Sequence, residues 1–325
     1  MRKTHLTASI IIVLIYSLIS TFATATTNID TSFGVDGYSL QDFKIGDDEA
    51  YAIAVQDDGK ILVAGYSSNG AVKDLIVSRF LEDGTLDIEF STGGVFSKSL
   101  NSGDTIGRSL AIQDDGKIIV GGTTDNGAQV SVAVLRLTSE GFLDDEFASD
   151  GYVVLSEVEG DIYSTVIQLT ENEIVDEDVQ NQEIIVAATF FPDSSASYAY
   201  FANLNTEGKL NESFGIDGET NYTGGTNDVL INTILIQSDG TILAGGSFSN
   251  DGTTQAGLLQ LTEAGAVDTS YGSDGAVTLD LGDESSVINS IAAGSDDDVI
   301  IAGALNDGDY DEAFIGKVAK DGSAL

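Results

Sequence analysis

Carboxylates dominate the chemistry open to this chain. One set recurs: Gly46-Asp47, Gly103-Asp104, Gly160-Asp161, Asn227-Asp228 and Gly282-Asp283. Carboxylates are hard oxygen ligands suited to Ca²⁺ or Mg²⁺, so Asp47, Asp104, Asp161, Asp228 and Asp283 are candidate metal ligands on one face of a repeating fold. The competing reading makes each a turn residue whose carboxylate caps local backbone N–H groups. Ca²⁺ is the only cofactor this column suggests, and nothing in the chain requires one. A second acidic run, Asn306-Asp-Gly-Asp-Tyr-Asp-Glu312, has the spaced acids of a calcium loop but no closing Glu at the right spacing. It reads as a hairpin turn with extra acids.

The inventory excludes several mechanisms. The 325 residues hold 53 Asp+Glu, 13 Lys+Arg, 37 Gly, one Pro, no Cys and no Trp, for a formal charge of −40. The single histidine is His5. No Cys means no disulfide, thiolate zinc site or thiol nucleophile. Such a charge repels nucleic acid and anionic lipid, whose binding rests on Lys and Arg. Residues 1–25 have the pattern of a secretory signal: a basic start, the apolar run Ser9–Phe22, and Ala23-Thr24-Ala25. Cleavage near Ala25 would remove Arg2, Lys3 and His5, leaving 11 bases and no histidine. Ser-His-Asp catalysis and His-ligated zinc are then out of reach. The expected setting is periplasmic or secreted, free of the membrane.

The elements that position these residues repeat. Asp30-Thr-Ser-Phe-Gly-Val-Asp-Gly37 returns around Phe90, Phe147, Phe214 and Tyr271, at spacings by subtraction of 57, 57, 67 and 57 residues. Turn glycines at Gly84, Gly141, Gly208, Gly265 and Gly322 keep the same register, as do small residues at Gly65, Gly122, Ala188, Gly246 and Gly303. An acidic insertion, 171–182, lengthens the third repeat. Each repeat reads as four strands, with no helical period. Four antiparallel strands per unit fit a propeller blade. The expected architecture is an all-β, five-bladed β-propeller of repeats 29–85, 86–142, 143–209, 210–266 and 267–323. Gly37–Phe43 would supply the outer strand of the last blade and close the ring; an open solenoid is the alternative.

Val55-Gln-Asp-Asp-Gly-Lys-Ile-Leu-Val-Ala-Gly65, Arg79-Phe-Leu-Glu-Asp-Gly-Thr-Leu-Asp87 and the Asp-x-x-Phe-Gly-x-Asp-Gly segments resemble the delta-60 repeat family of bacterial proteins, also described as a β-propeller domain of unknown function. The resemblance covers residues 29–323. It is weaker in the third repeat and in the fifth, where Asp296-Asp-Asp298 replaces the turn. It implies the fold and an extracytoplasmic setting, and brings no catalytic residues.

A column of donors, Arg79, Arg136, Asn203, Gln260 and Lys317, lies within apolar strands, opposite Asp87, Asp144, Asn211 and Asp268. Neutral Asn203 matches neutral Asn211, which suggests a buried structural pairing. Phe190, Phe191, Tyr198 and Tyr222 lie in or beside variable loops, where aromatics either stack on sugars or pack internally. The function expected is a non-enzymatic binding or scaffold module for a carbohydrate or protein. The alternative is a glycoside hydrolase or lyase using two carboxylates on the loop face, roughly 5–10 Å apart.

Overall fold

The computed structural model describes residues 29–43, 46–158, 160–170, 182–193, 195–224, 227–250, 253–282, 285–295, 298–306 and 311–322. Residues 1–25, where a signal segment is expected, Asp283, most of the acidic insertion and 307–310 lie outside the described residues. Two compact units are present: Met1–Leu40 with Asp83–Thr85, and Gln41–Glu82 with Leu86–Leu325.

The second unit carries all the strands, in five groups. The first is β1 (Asp48–Val55), β2 (Ile61–Ser68), β3 (Lys73–Phe80) and β4 (Val95–Lys98). The second is β5 (Thr105–Ile112), β6 (Ile118–Asp125), β7 (Val130–Leu137) and β8 (Tyr152–Val158). The third is β9 (Gly160–Leu169), β10 (Ile184–Pro192), β11 (Tyr198–Leu204) and β12 (Glu219–Thr223). The fourth is β13 (Val229–Ile236), β14 (Ile242–Asn250), β15 (Thr253–Leu261) and β16 (Ala276–Thr278). The fifth is β17 (Ser285–Ala293), β18 (Val299–Asn306) and β19 (Asp311–Val318). Within every group the strands pair antiparallel in chain order. The fourth and fifth run together through one parallel pair, Thr254↔Ser285. The reading of four short antiparallel strands per repeat holds for groups one to four.

The core lies between groups, as four layers of side chains. Leu62, Leu75 and Phe90 pack with Ile118, Val120 and Leu135 between the first and second groups. Similar layers join second to third, third to fourth and fourth to fifth. Leu110 and Ile112 of β5 pack into the first of these layers. One repeat earlier, Ile53 and Val55 of β1 are 70% and 64% exposed. On β19, Ile315 is 78% exposed. Among the described residues Gly37–Phe43 forms no strand: Tyr38 bridges Val35 within a local turn, and β19 pairs with β18 alone. The expected closing strand is therefore not formed here.

The repeated Asp-x-x-Phe segments join neighbouring groups. Phe90, Phe147, Phe214 and Tyr271 are all buried. Each lies against the turn glycine of the next repeat, so a Cβ at Gly141, Gly208, Gly265 or Gly322 would meet the ring at 2.5, 2.9, 2.7 or 3.0 Å. These glycines have φ between +76° and +87°, the left-handed region that a side chain resists. Backbone bonds from Ser91 N to Glu140 O, Ala148 N to Glu207 O and Gly215 N to Ala264 O complete the joints. The first unit repeats the contact internally: Gly84 faces the Phe33 ring, and Gly34 N donates to Asp83 O at 2.7 Å.

Every first strand carries a β-bulge. The register skips Tyr51 in β1, Arg108 in β5, Tyr163 in β9, Asn232 in β13 and Asn289 in β17. The small-residue column explains where the bulges fall. A Cβ at Gly65, Gly122, Gly246 or Gly303 would stand 1.8–2.0 Å from a carbonyl oxygen of the bulged strand. The third group has Ala188 at that place, and its bulge lies two pairs further along, between Thr189 and Phe190. Gly122→Ala is expected to cost about 1–3 kcal/mol, as overpacking does, measured by urea unfolding. A loss under about 0.5 kcal/mol would mean that the strand escapes by moving its bulge as the third group does.

Candidate functional site

A bulge residue stands outside the ladder, and its side chain is free to be aimed elsewhere. Here one such position recurs on the first strand of four groups, held by Tyr51, Arg108, Asn232 and Asn289; in the third group the bulge falls two residues earlier on the strand. Neighbouring occupants meet. The Arg108 guanidinium lies 5.6 Å from the Tyr51 ring centre. Asn232 Nδ2 donates to Ile288 O at 3.0 Å and reaches Asn289 Oδ1 at 3.5 Å.

Around Tyr51 the site is polar and aromatic. Tyr51 and Tyr66 both donate their hydroxyls to Glu49 Oε2, at 2.9 and 3.0 Å. Their ring centres are 6.1 Å apart. Lys73 Nζ sits 4.2 Å from the Tyr66 ring centre, a cation–π contact. Burial and then the Glu49 hydrogen bond and charge push the Tyr66 hydroxyl up to about 12. The same causes raise Tyr51, against a smaller pull from Arg108. Both hydroxyls are thus held as donors at neutral pH. The arrangement offers one carboxylate acceptor, two aromatic rings and two cations within reach of β1, β2, β3 and β5.

The aspartate column does a different job where it can be followed. Asp104 Oδ1 accepts from Lys73 N at 2.9 Å, and Asp228 Oδ1 accepts from Ser197 N at 2.8 Å. Each caps a hairpin loop of the preceding group, a contact to a distant backbone N–H and not the local cap of the turn reading. Asp47 and Asp161 are exposed, and Asp283 lies outside the described residues. No group of three or more potential metal ligands gathers among the described residues.

The donor column forms the expected pairs in two groups. Arg79 Nε donates to Asp87 Oδ2 at 2.8 Å and Arg136 Nε to Asp144 Oδ2 at 2.7 Å, all four residues buried. Each arginine also reaches the next group, Arg79 to Ser139 O at 2.7 Å and Arg136 to Thr206 O at 2.5 Å. Asn203 and Asn211 do not bond each other through their side chains. Both donate to Glu183, at 2.7 and 3.1 Å. Gln260 turns to Gln237 and Thr241 instead of Asp268, and Lys317 pairs with Asp298. A cleft of about 240 Å³ between the second and third groups is lined by Arg136, Lys117, Glu146 and Glu207. Its charges belong to this seam.

The loop aromatics pack inward. Phe190 is fully buried, stacked on Tyr198 at 5.3 Å and edge-on to Tyr200 at 5.2 Å. Tyr222 meets the Phe248 ring edge-on at 6.2 Å. The internal-packing reading of these residues is the one the geometry supports.

Sequence reasoning missed the bulge column. Tyr51 and Arg108 are 57 residues apart, as are Asn232 and Asn289, so the spacing signal was present. The alternation of Tyr51–Gln56 read as an ordinary strand, because a bulge shared by every repeat leaves the repeat length unchanged.

Comparison with known proteins follows the fold. Residues 56–90, 113–147 and 237–271 match a family described as a domain of unknown function (DUF5122) beta-propeller. The chain is thus similar to a β-propeller repeat family of unknown function. No curated protein matches it. Among solved structures, a mannose phosphorylase from Leishmania mexicana aligns at 11% identity and TM-score 0.41, over 87% of this chain and 89% of that one. Drosophila Plexin A, in complex with Semaphorin 1b, aligns at 12% identity and TM-score 0.42, over 85% and 53%. A B. megaterium levansucrase variant aligns at 12% identity and TM-score 0.40, over 90% and 87%.

Proposed function

We propose that this chain is an exported, non-enzymatic binding module built as a five-bladed propeller, with its ligand read at the bulge column of the first strands. One observation carries the reading. The frame repeats its turns, joints and bulges, yet the recurring bulge position holds three chemistries in four groups: Tyr51, Arg108, and Asn232 with Asn289. The buried aromatics of the joints keep one chemistry; a recognition surface needs several. Ring closure is supported by the exposed apolar faces of β1 and β19, and by the Phe33–Gly84 contact, which has the form of a joint between blades. Among the described residues the Asp and Glu carboxyls that shift are lowered, as Asp144 and Asp239 are, whereas a general acid for glycoside cleavage needs one raised.

A glycan-array screen with hydrolysis monitored in the same samples tests the proposal. Binding without turnover, weakened when Tyr51, Arg108 or Asn232 is replaced by alanine, is the expected result. Release of shortened glycan lost on replacing a carboxylate pair would establish the enzyme instead.

A further inference from the structure

Arg108 stands apart in this chain. Acids outnumber bases by 53 to 13, yet among the described residues Arg108 makes no hydrogen bond and no ion pair. Its Nε is shut off from solvent without a partner, and its one noted contact is the Tyr51 ring. Arg79 and Arg136, by contrast, each hold a carboxylate and a carbonyl. Leaving a half-buried guanidinium unbonded costs stability, and an acid from so acidic a chain would relieve it. The bulge holds Arg108 in place instead, because Gly122 admits the carbonyl of Ile106.

We propose that Arg108 is the anchor for a carboxylate-bearing sugar, a uronate, whose ring lies against Tyr51. The inference rests on the binding-module reading and names its ligand class. A guanidinium fork matches a carboxylate in two parallel hydrogen bonds. Tyr51 is 43% exposed and presents an aromatic surface for a sugar ring beside that fork. Glu49, which already orients Tyr51 and Tyr66, offers an acceptor for sugar hydroxyls. Inorganic phosphate or sulfate has no ring to lie against Tyr51 and no set of ring hydroxyls for Glu49 to accept from. The chemistry therefore favours a ligand with one carboxylate among several hydroxyls.

Titration calorimetry with trigalacturonate, its neutral methyl ester and inorganic phosphate tests this on the full chain. Trigalacturonate is expected to bind and to weaken with added salt, with the ester and phosphate much weaker. Arg108→Gln should lower its affinity roughly tenfold to a hundredfold, the worth of a hydrogen-bonded charge. Arg108→Lys should keep part of it, and Tyr51→Ala should also weaken it. Because the Arg108 side chain bonds nothing, Arg108→Gln should not lower the melting temperature by more than about 2 °C, which separates lost binding from lost folding. No binding of trigalacturonate, or binding untouched by Arg108→Gln, overturns the proposal. If neutral glycans bind and lose affinity on Asn232→Ala but not on Arg108→Gln, the binding module survives and the uronate anchor falls.

Discussion

Arg136→Ala should destabilise the protein by about 3–5 kcal/mol, the cost of leaving one member of a buried pair behind. Asp144 is buried, and the substitution removes its 2.7 Å partner. It also strips Thr206 O of its donor on the next group and the Phe147 ring of a cation 4.8 Å away. Lys117 Nζ remains 3.3 Å from Asp144, so the loss belongs near the lower end of that range. The pH dependence gives a sharper test. In the parent, burial raises the Asp144 carboxyl, and Arg136, the Glu146 amide and Lys117 together outweigh it, so its pKa lies below the ordinary value. A depressed carboxyl stabilises the fold above its unfolded pKa, near 3.9, and that contribution fades as pH falls through the folded value. Without Arg136 the burial effect weighs more, and the penalty of the variant should shrink as Asp144 is protonated. Urea unfolding at pH 7 and pH 4 should therefore show a smaller gap between parent and variant at pH 4. An equal gap at both would mean that Arg136 acts through packing alone. Replacing both partners, Arg136→Met with Asp144→Leu, should recover most of the loss, since a well-packed apolar pair replaces a buried ion pair at little cost.

How far the sequence carries depends on what kind of constraint each residue meets. The Asp-x-x-Phe segments and turn glycines were legible because each joint needs an aromatic and a left-handed glycine at fixed separation, so type and spacing are both pinned. Arg79 with Asp87 and Arg136 with Asp144 were legible for the same reason, eight residues apart. Asn203 and Asn211 were expected to pair with each other, and both side chains donate instead to Glu183. Glu183 follows the insertion, off the common register, and no column pointed to it. Ring closure was argued from the order of motifs along the chain. Motif order alone does not fix a strand pairing, and Tyr38 bridges Val35 in a local turn. The bulge column was hidden in a different way: pattern reading detects residues that stay alike between repeats, and Tyr51, Arg108 and Asn232 do not.

Phe214→Ala carries the other large expectation, about 3–5 kcal/mol, as for any buried phenylalanine truncated to alanine. Phe214 is 1% exposed and lies in the layer between the third and fourth groups. The space it leaves is walled by sheets whose registers are fixed by their ladders, and Gly265 has no side chain to swing into it. The backbone bond from Gly215 N to Ala264 O should weaken with it, so hydrogen exchange should speed up at Gly215. Tyr271→Phe is the matched control at the next joint. Tyr271 is 3% exposed, its hydroxyl has no hydrogen-bond partner among the described residues, and burial pushes that hydroxyl's pKa far up. Removing an unpaired buried hydroxyl takes away a desolvation cost while keeping the ring, so the change should be neutral or stabilising by up to about 1 kcal/mol. A loss above about 1 kcal/mol in Tyr271→Phe would show that the hydroxyl is bonded in solution. A loss below about 1.5 kcal/mol in Phe214→Ala would show that the repeating aromatic is not what holds one group to the next.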